Sequence, residues 1–132
     1  VSEDGRRTLG ARGEILAGRW LERRGYTVLA RNVRTPRGEI DLIASRGAAL
    51  AFVEIKTRRV SARQHEIRPD QDPLLGLGGR QQARLRRLAG AWLRDTRARP
   101  HSHAAAIRFD VIAVVIDTRG RARRIEHVEG AF

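Results

Sequence analysis

A chain of 132 residues is one domain, long enough to bury a core and too short to divide into two. Its formal net charge of +12, from 27 Lys plus Arg against 15 Asp plus Glu, points to a polyanionic partner, with nucleic acid first and an anionic membrane surface second. The absence of cysteine excludes disulfides and thiolate metal sites; the start V-S-E-D-G-R-R is too polar for a signal peptide, and the longest strongly apolar run, Val111–Ile116, cannot span a bilayer, so a cytoplasmic protein with no membrane partner is expected.

Residues Thr8 to Arg24 have helical spacing, with Ile15, Leu16, Ala17, Trp20 and Leu21 as the apolar stripe and Gly25 as the C-cap. Glu14 lies at the edge of the inward face, three, four and seven residues before Ala17, Gly18 and Leu21. Periodicity leaves it either as a solvated partner of a nearby Arg or as a carboxylate reaching a site. Tyr26–Arg34 is the first strand, and Thr35-Pro36-Arg37-Gly38 turns the chain into the next one. Arg31, Arg34 and Arg37 are placed to line a rim or to be a solvated edge.

Gly38–Ala44 and Leu50–Thr57 form a hairpin about the turn at Arg46-Gly47. Alternation assigns Ile40, Leu42, Ala44, Ala51, Val53 and Ile55 to a core-facing side. It leaves Glu39, Asp41, Glu54 and Lys56 on the other. A register that keeps the apolar rows together pairs Leu42 with Val53, so Asp41 faces Glu54 and Glu39 faces Lys56. Opposed carboxylates roughly 5 Å apart repel, and one pKa rises unless a cation lies between them. Hard oxygen donors at that spacing suit Mg²⁺ or Mn²⁺, and a neighbouring lysine can steady a water or a phosphate oxygen. Lys56 is the single lysine in a chain that otherwise uses arginine. Its compact ammonium, unlike a guanidinium, can release a proton.

Arg58 to Gly79 shows no periodicity and is expected to be a loop, emerging beside Lys56 where it could cover a substrate. From Arg80 to Arg97 a second helix carries Leu85, Leu88, Ala89, Trp92 and Leu93 inward. Gln82 in its first turn either caps the helix or points at a ligand near the N-terminus. Arg84, Arg86, Arg87, Arg94 and Arg97 lie largely outside the stripe, a solvated face or a phosphate-tracking one. Ala98–Ala105 is a loop whose His101-x-His103 lacks a third ligand. Ala106–Ile116, apolar on both faces, is a central strand in which Asp110 pairs with Arg108, and Arg123–Val128 is an edge strand.

The order helix, three strands, helix, two strands, with Asp on one strand and E-x-K on the next, resembles the restriction-endonuclease-like fold of the PD-(D/E)XK nucleases. That fold is α/β, a mixed central sheet flanked by helices. The motifs Gly10–Glu14, Gly25-Tyr26, Leu29–Asn32, Gly38–Ala44, Phe52–Arg58, Arg108–Val111 and the terminal I-E-H-V-E-G-A-F are similar to those of the YraN family, whose core resembles Holliday-junction resolvases. The resemblance implies a Mg²⁺- or Mn²⁺-dependent endonuclease acting on DNA. Asp41, Glu54 and the Ile55 carbonyl would be metal ligands, Lys56 the catalytic lysine, and Glu14 and Gln82 further site residues. Gln81 stands where that family usually has lysine, and Gly130 where Asn is common. Arg34, Arg37, Arg58, Arg80, Arg84 and Arg87 are the expected nucleic-acid contacts, and a homodimer is compatible with this reading. The contrasting reading, from another class, is a nucleic-acid-binding protein in which Asp41, Glu54 and Lys56 form an ion-pair cluster without metal.

Overall fold

A computed structural model describes residues 3–74, 78–95 and 106–132, with side chains from residue 5 onward. The elements run α1 (Glu3–Arg23), β1 (Thr27–Thr35), β2 (Gly38–Arg46), β3 (Ala49–Val60), a short 3-10 turn (Pro69–Gln71), α2 (Gly79–Arg94), β4 (Ala106–Asp117) and β5 (Ala122–Val128). The expected order is therefore present, with α1 starting before Thr8 and β3 continuing past Thr57. Helix α2 closes at Asp95, whose N–H bonds the Trp92 carbonyl, and Arg97 lies outside the described residues. The His101-x-His103 pair lies outside the described residues. Among those residues, no helix is long and apolar enough to cross a membrane.

The strands form one five-stranded sheet in the order β1-β2-β3-β4-β5. Every neighbouring pair is antiparallel except β3 and β4, which run parallel because α2 lies between them in the chain. Parallel pairing requires such a crossover and buries both faces of the strands involved. This accounts for the continuous apolar run in β4, where Val111 to Ile116 are all buried. The β2–β3 hairpin has the anticipated register, with Leu42 opposite Val53 and the turn at Gly47-Ala48, where Gly47 has φ +58°.

Each face of the sheet has its own core. Leu16, Ala17 and Leu21 of α1 pack on Leu42, Ala44, Ala51, Val53 and Ile55, with Ile112, Val114 and Ile116 beside them. On the opposite face, Leu85, Leu88 and Ala89 of α2 cover Ile40, Ile43, Leu50 and Phe52. Two expectations are corrected here. Ile15 belongs to no core and is 44% exposed, because α1 turns Gly13, Leu16, Ala17 and Leu21 inward. Ile40 sits under α2 instead of sharing the face of Leu42. The pleat slips between them: Asn32, which the β1–β2 register brings opposite Asp41, has φ +49°. A non-glycine residue in the left-handed region bends its strand, and both strands switch face at this point.

Gly13 sets how closely α1 approaches the sheet. A Cβ at this position would lie 2.0 Å from Thr57 Oγ1 and 3.0 Å from Thr57 Cβ. Alanine would improve helix propensity by about 1 kcal/mol, but the overlap involves a buried helix face and a strand, and overpacking of that kind costs roughly 1–3 kcal/mol. Gly13→Ala is therefore expected to lower stability in a urea titration, and Thr57→Ala to recover part of the loss. A Gly13→Ala midpoint at or above the parent's would show that α1 can stand further off.

Candidate functional site

The ladder between β2 and β3 ends at Leu42 and Val53. One step further, where Asp41 and Glu54 face each other, the strands have begun to part. The Ile55 N–H no longer finds a β2 carbonyl and donates instead to Asp41 Oδ2 at 2.9 Å. A carboxylate thus replaces a backbone acceptor at the mouth of the hairpin, and Asp41 is fixed by the end of the sheet itself.

Because the pleat slips at Asp41, its carboxyl meets groups from both sides of the sheet. From α1 comes Glu14, hydrogen-bonded to the Asn32 side chain. Carboxylate oxygens of Glu14, Glu39 and Asp41 lie within 4.8 Å of one another. From the α2 side come Glu54 and Lys56, which alternate with the α1-facing Val53 and Ile55. Lys56 Nζ is 3.5 Å from Glu54 Oε1 and donates to Gln81 Oε1 at 3.2 Å. An open pocket of about 500 Å³ joins Asp41 and Glu54 to Arg34, Thr35, Gly38, Glu39 and Arg84.

The electrostatics follow from this crowding. Burial, then Glu54, then Glu14 and Glu39 push the Asp41 carboxyl up to about 7, against the lowering effect of the Ile55 N–H. Burial also raises Glu14, with Glu39 adding to the shift, while Asn32, Arg31 and Arg34 oppose it. Lys56 answers Glu54 and the largely exposed Arg34 answers Glu39 at 3.8 Å, whereas the charges that act most on Asp41 are carboxylates. Hard oxygen donors held at this density fit a divalent cation such as Mg²⁺ or Mn²⁺.

Several placements depart from the sequence reading. Glu39 does not face Lys56; the strands have separated, and Glu39 turns to Arg34 across the β1–β2 ladder. The Ile55 N–H bonds Asp41 Oδ2, a contact that strand alternation does not announce. Gln82 is half-buried in the first turn of α2 with its N–H on the Gly78 carbonyl, while the amide touching Lys56 is Gln81. Arg58 is exposed on β3 and lines none of the described pockets, whereas Arg80, Gln81, Arg84 and Arg87 share a depression at the start of α2. The segment after β3 is tied to β5, with Arg123 donating to the Gln64 carbonyl and Arg124 pairing with Asp72 at 3.1 Å. Its described part is anchored there rather than hanging over the hairpin.

A separate polar knot closes the far side of the sheet. Arg108 grips Asp110 with two hydrogen bonds, 3.1 and 2.7 Å, and donates to the Tyr26 hydroxyl, which donates to Glu129. His127 Nε2 and the Gly130 N–H complete the shell of Asp110 at 2.8 and 2.9 Å. Burial opposes the Asp110 charge, but His127, Arg108 and Gly130 outweigh it and hold the carboxyl at about 2. The expected Arg108–Asp110 pair is present, and it ties the C-terminal residues to β4.

These features define a class: an α/β protein whose mixed sheet opens one hairpin to collect acids from two strands and a helix beside a lysine. The chain belongs to UPF0102, the family described as "Uncharacterised protein family UPF0102", whose model matches residues 13–114. It is similar to a UPF0102 protein of Beutenbergia cavernae, 46% identical over 122 residues that cover 92% of this chain and 93% of that one. A UPF0102 protein of Pelotomaculum thermopropionicum is 38% identical over 98% of both chains, and one of Rhodococcus jostii 42% identical over 94% and 95%.

The raised Asp41 pKa has a sign that can be tested. The unfolded chain loses this proton near 3.8 and the folded chain near 7. Between those values the folded state holds the extra proton, so stability from Asp41 is greatest below pH 4, falls as pH rises to about 7, and is flat above. Asn keeps an oxygen for the Ile55 N–H and carries no charge. Metal-free melting curves should therefore place Asp41→Asn at or above the parent at pH 8, with that advantage shrinking at pH 5. An Asp41→Asn protein clearly less stable than the parent at pH 8 would mean that its charge is compensated.

Proposed function

We propose that this protein is a Mg²⁺- or Mn²⁺-dependent endonuclease that hydrolyses DNA phosphodiester bonds, a PD-(D/E)XK enzyme by the resemblance of its motifs. The observation that carries the reading is the convergence of Glu14, Glu39 and Asp41 within 4.8 Å, next to Glu54 and Lys56. A cluster kept only for stability would be expected to pair its charges, because unpaired buried acids cost more than apolar replacements. Here Asp41 sits against Glu54, Glu14 and Glu39, and the Ile55 N–H is what offsets them.

In this reading Asp41 and Glu54 would hold the cation, with the Ile55 carbonyl as a neutral donor and Glu14 and Glu39 as further carboxylates. The cation, when bound, supplies Lewis acidity toward a phosphate oxygen and a more acidic water. Lys56 is held by Glu54 and Gln81, so its ammonium is oriented rather than free to sweep, and it positions the attacking water. Water adds to phosphorus, the P–O bond to the leaving sugar breaks, and the leaving oxygen takes up a proton. Arg34 and Arg84 at the pocket edge bind the neighbouring phosphates. The Lys56–Glu54 contact at 3.5 Å also supports the second reading, a nucleic-acid-binding protein with an ion-pair cluster, and one set of measurements separates the two.

Saturating Mn²⁺ should raise the melting temperature of the parent, corresponding to roughly 2–3 kcal/mol at a hundredfold excess over Kd, and should do little for Asp41→Asn. Lys56→Arg should still bind DNA and lose cleavage by about 10²-fold or more, since a planar guanidinium cannot take the ammonium's place at the water. A parent that gains nothing from Mn²⁺ and cuts no DNA form, together with an Asp41→Asn variant that is simply destabilised, establishes the ion-pair cluster instead.

A further inference from the structure

We infer that the basin along the outer face of α2, lined by Arg37, Arg84, Arg86, Arg87, Gly90 and Arg94, is a phosphodiester-binding subsite that holds the backbone of a DNA duplex flanking the carboxylate pocket. The basin encloses about 600 Å³, and its lining contains arginines, Gly90 and Ala91 but no carboxylate. Elsewhere the arginines near acids are matched: Arg31 with Glu22, Arg46 with Glu129, Arg124 with Asp72. Arg37, Arg84, Arg87 and Arg94 have no carboxylate partner among the described residues. Cations gathered at one concavity repel one another, and a polyanion relieves that repulsion while releasing its own counterions.

Two details indicate that the basin is built. Gly90 lies inside a helix, where glycine costs about 1 kcal/mol relative to alanine. A Cβ there would lie 3.2 Å from Arg94 Nη1, so the glycine leaves room for the Arg94 guanidinium to fold back over the helix. On the other rim, Arg86 is seated over the rings of Phe109 and Phe132, 5.1 and 5.5 Å from their centroids, which fixes its direction. Arginine forks match phosphate oxygens bidentately. The lining offers no large apolar side chain to enter a lipid surface, and this favours nucleic acid over a membrane.

Arg84 lines both this basin and the carboxylate pocket, so the two are continuous. A strand whose phosphate lies near Asp41 then continues along α2 past Arg84 toward Arg94, and the substrate must extend in that direction. The identity of the polyanion rests on the nucleic-acid reading above, whereas the basin itself contains no pocket carboxylate.

The test is binding of a fluorescently labelled DNA duplex by the full chain in EDTA, read by anisotropy over a KCl series. Arg87→Gln with Arg94→Gln should weaken binding by tenfold or more and flatten the log–log salt slope by about 2, roughly 0.9 for each phosphate left without its arginine. Gly90→Ala should fold at least as well as the parent and bind slightly more weakly, because Arg94 Nη1 must give way by a few tenths of an ångström. Neither variant should change the melting shift produced by Mn²⁺, since Arg87, Gly90 and Arg94 lie outside the carboxylate pocket. Equal affinity and equal slope in parent and variants overturn the subsite, as does a parent that ignores duplex but binds anionic vesicles through the same arginines. Loss of duplex binding in the variants, with no effect of Mn²⁺ on the parent, upholds the subsite and removes the cleavage reading.

Discussion

One hydrogen bond governs the architecture of the site: the Ile55 N–H on Asp41 Oδ2 at 2.9 Å. It lies where the β2–β3 ladder gives out, and a buried backbone donor at that point must find an acceptor. A carboxylate can serve because it accepts from more than one direction, leaving capacity for whatever enters the pocket. The bond therefore closes the β2–β3 ladder and fixes the Asp41 carboxylate in one step. Glu54 and Lys56 flank Ile55 on β3, so their spacing from Asp41 is inherited from strand geometry rather than from flexible side chains.

The slip of the pleat at Asp41 widens what this one position can reach. A regular strand would send Asp41 to a single face, with Glu54 and under α2. With Asn32 at φ +49° and Ile40 under α2, the Asp41 carboxyl lies between the layers. Glu14 can then approach from α1, and its own approach depends on Gly13, which lets the helix settle against Thr57. Strain in a strand and absence of a side chain in a helix together join two faces of one sheet. Burial between the layers, together with the acids that crowd the same volume, retains the Asp41 proton to about pH 7.

How much of this is legible in the sequence depends on whether the signal is local. Strand periodicity yields the pairing of Leu42 with Val53, and the apolar run of β4 yields an interior place, though the middle strand of the five is β3, because both patterns are written in adjacent residues. The face of Ile40 is not legible: it depends on a backbone angle at Asn32, on a different strand. Glu39 reads as a charge on the outer face, and its role beside Glu14 depends on how α1 docks. The choice between Gln81 and Gln82 turns on about 100° of helix rotation, which only the packing of Leu85 and Leu88 decides. The knot around Asp110 gathers Tyr26, Arg108, His127 and Gly130 from distant parts of the chain. Its motifs stand out in the sequence without any cue that they meet.

The distribution of charge makes a final connection between the two halves of the proposal. A chain with a net charge of +12 attracts a polyanion over most of its surface, yet its central pocket is acidic. Phosphates are repelled from Glu39, Asp41 and Glu54 unless a cation intervenes, and they are drawn to Arg84 and the basin beyond it. The proposal therefore gives affinity and chemistry to different residues. On the proposed reading, arginines outside the pocket would supply most of the binding free energy, and the acids would contribute only with a cation bound. On that reading a metal-free protein would still hold nucleic acid, and the acids at the end of the β2–β3 hairpin would act on a strand only with a cation bound.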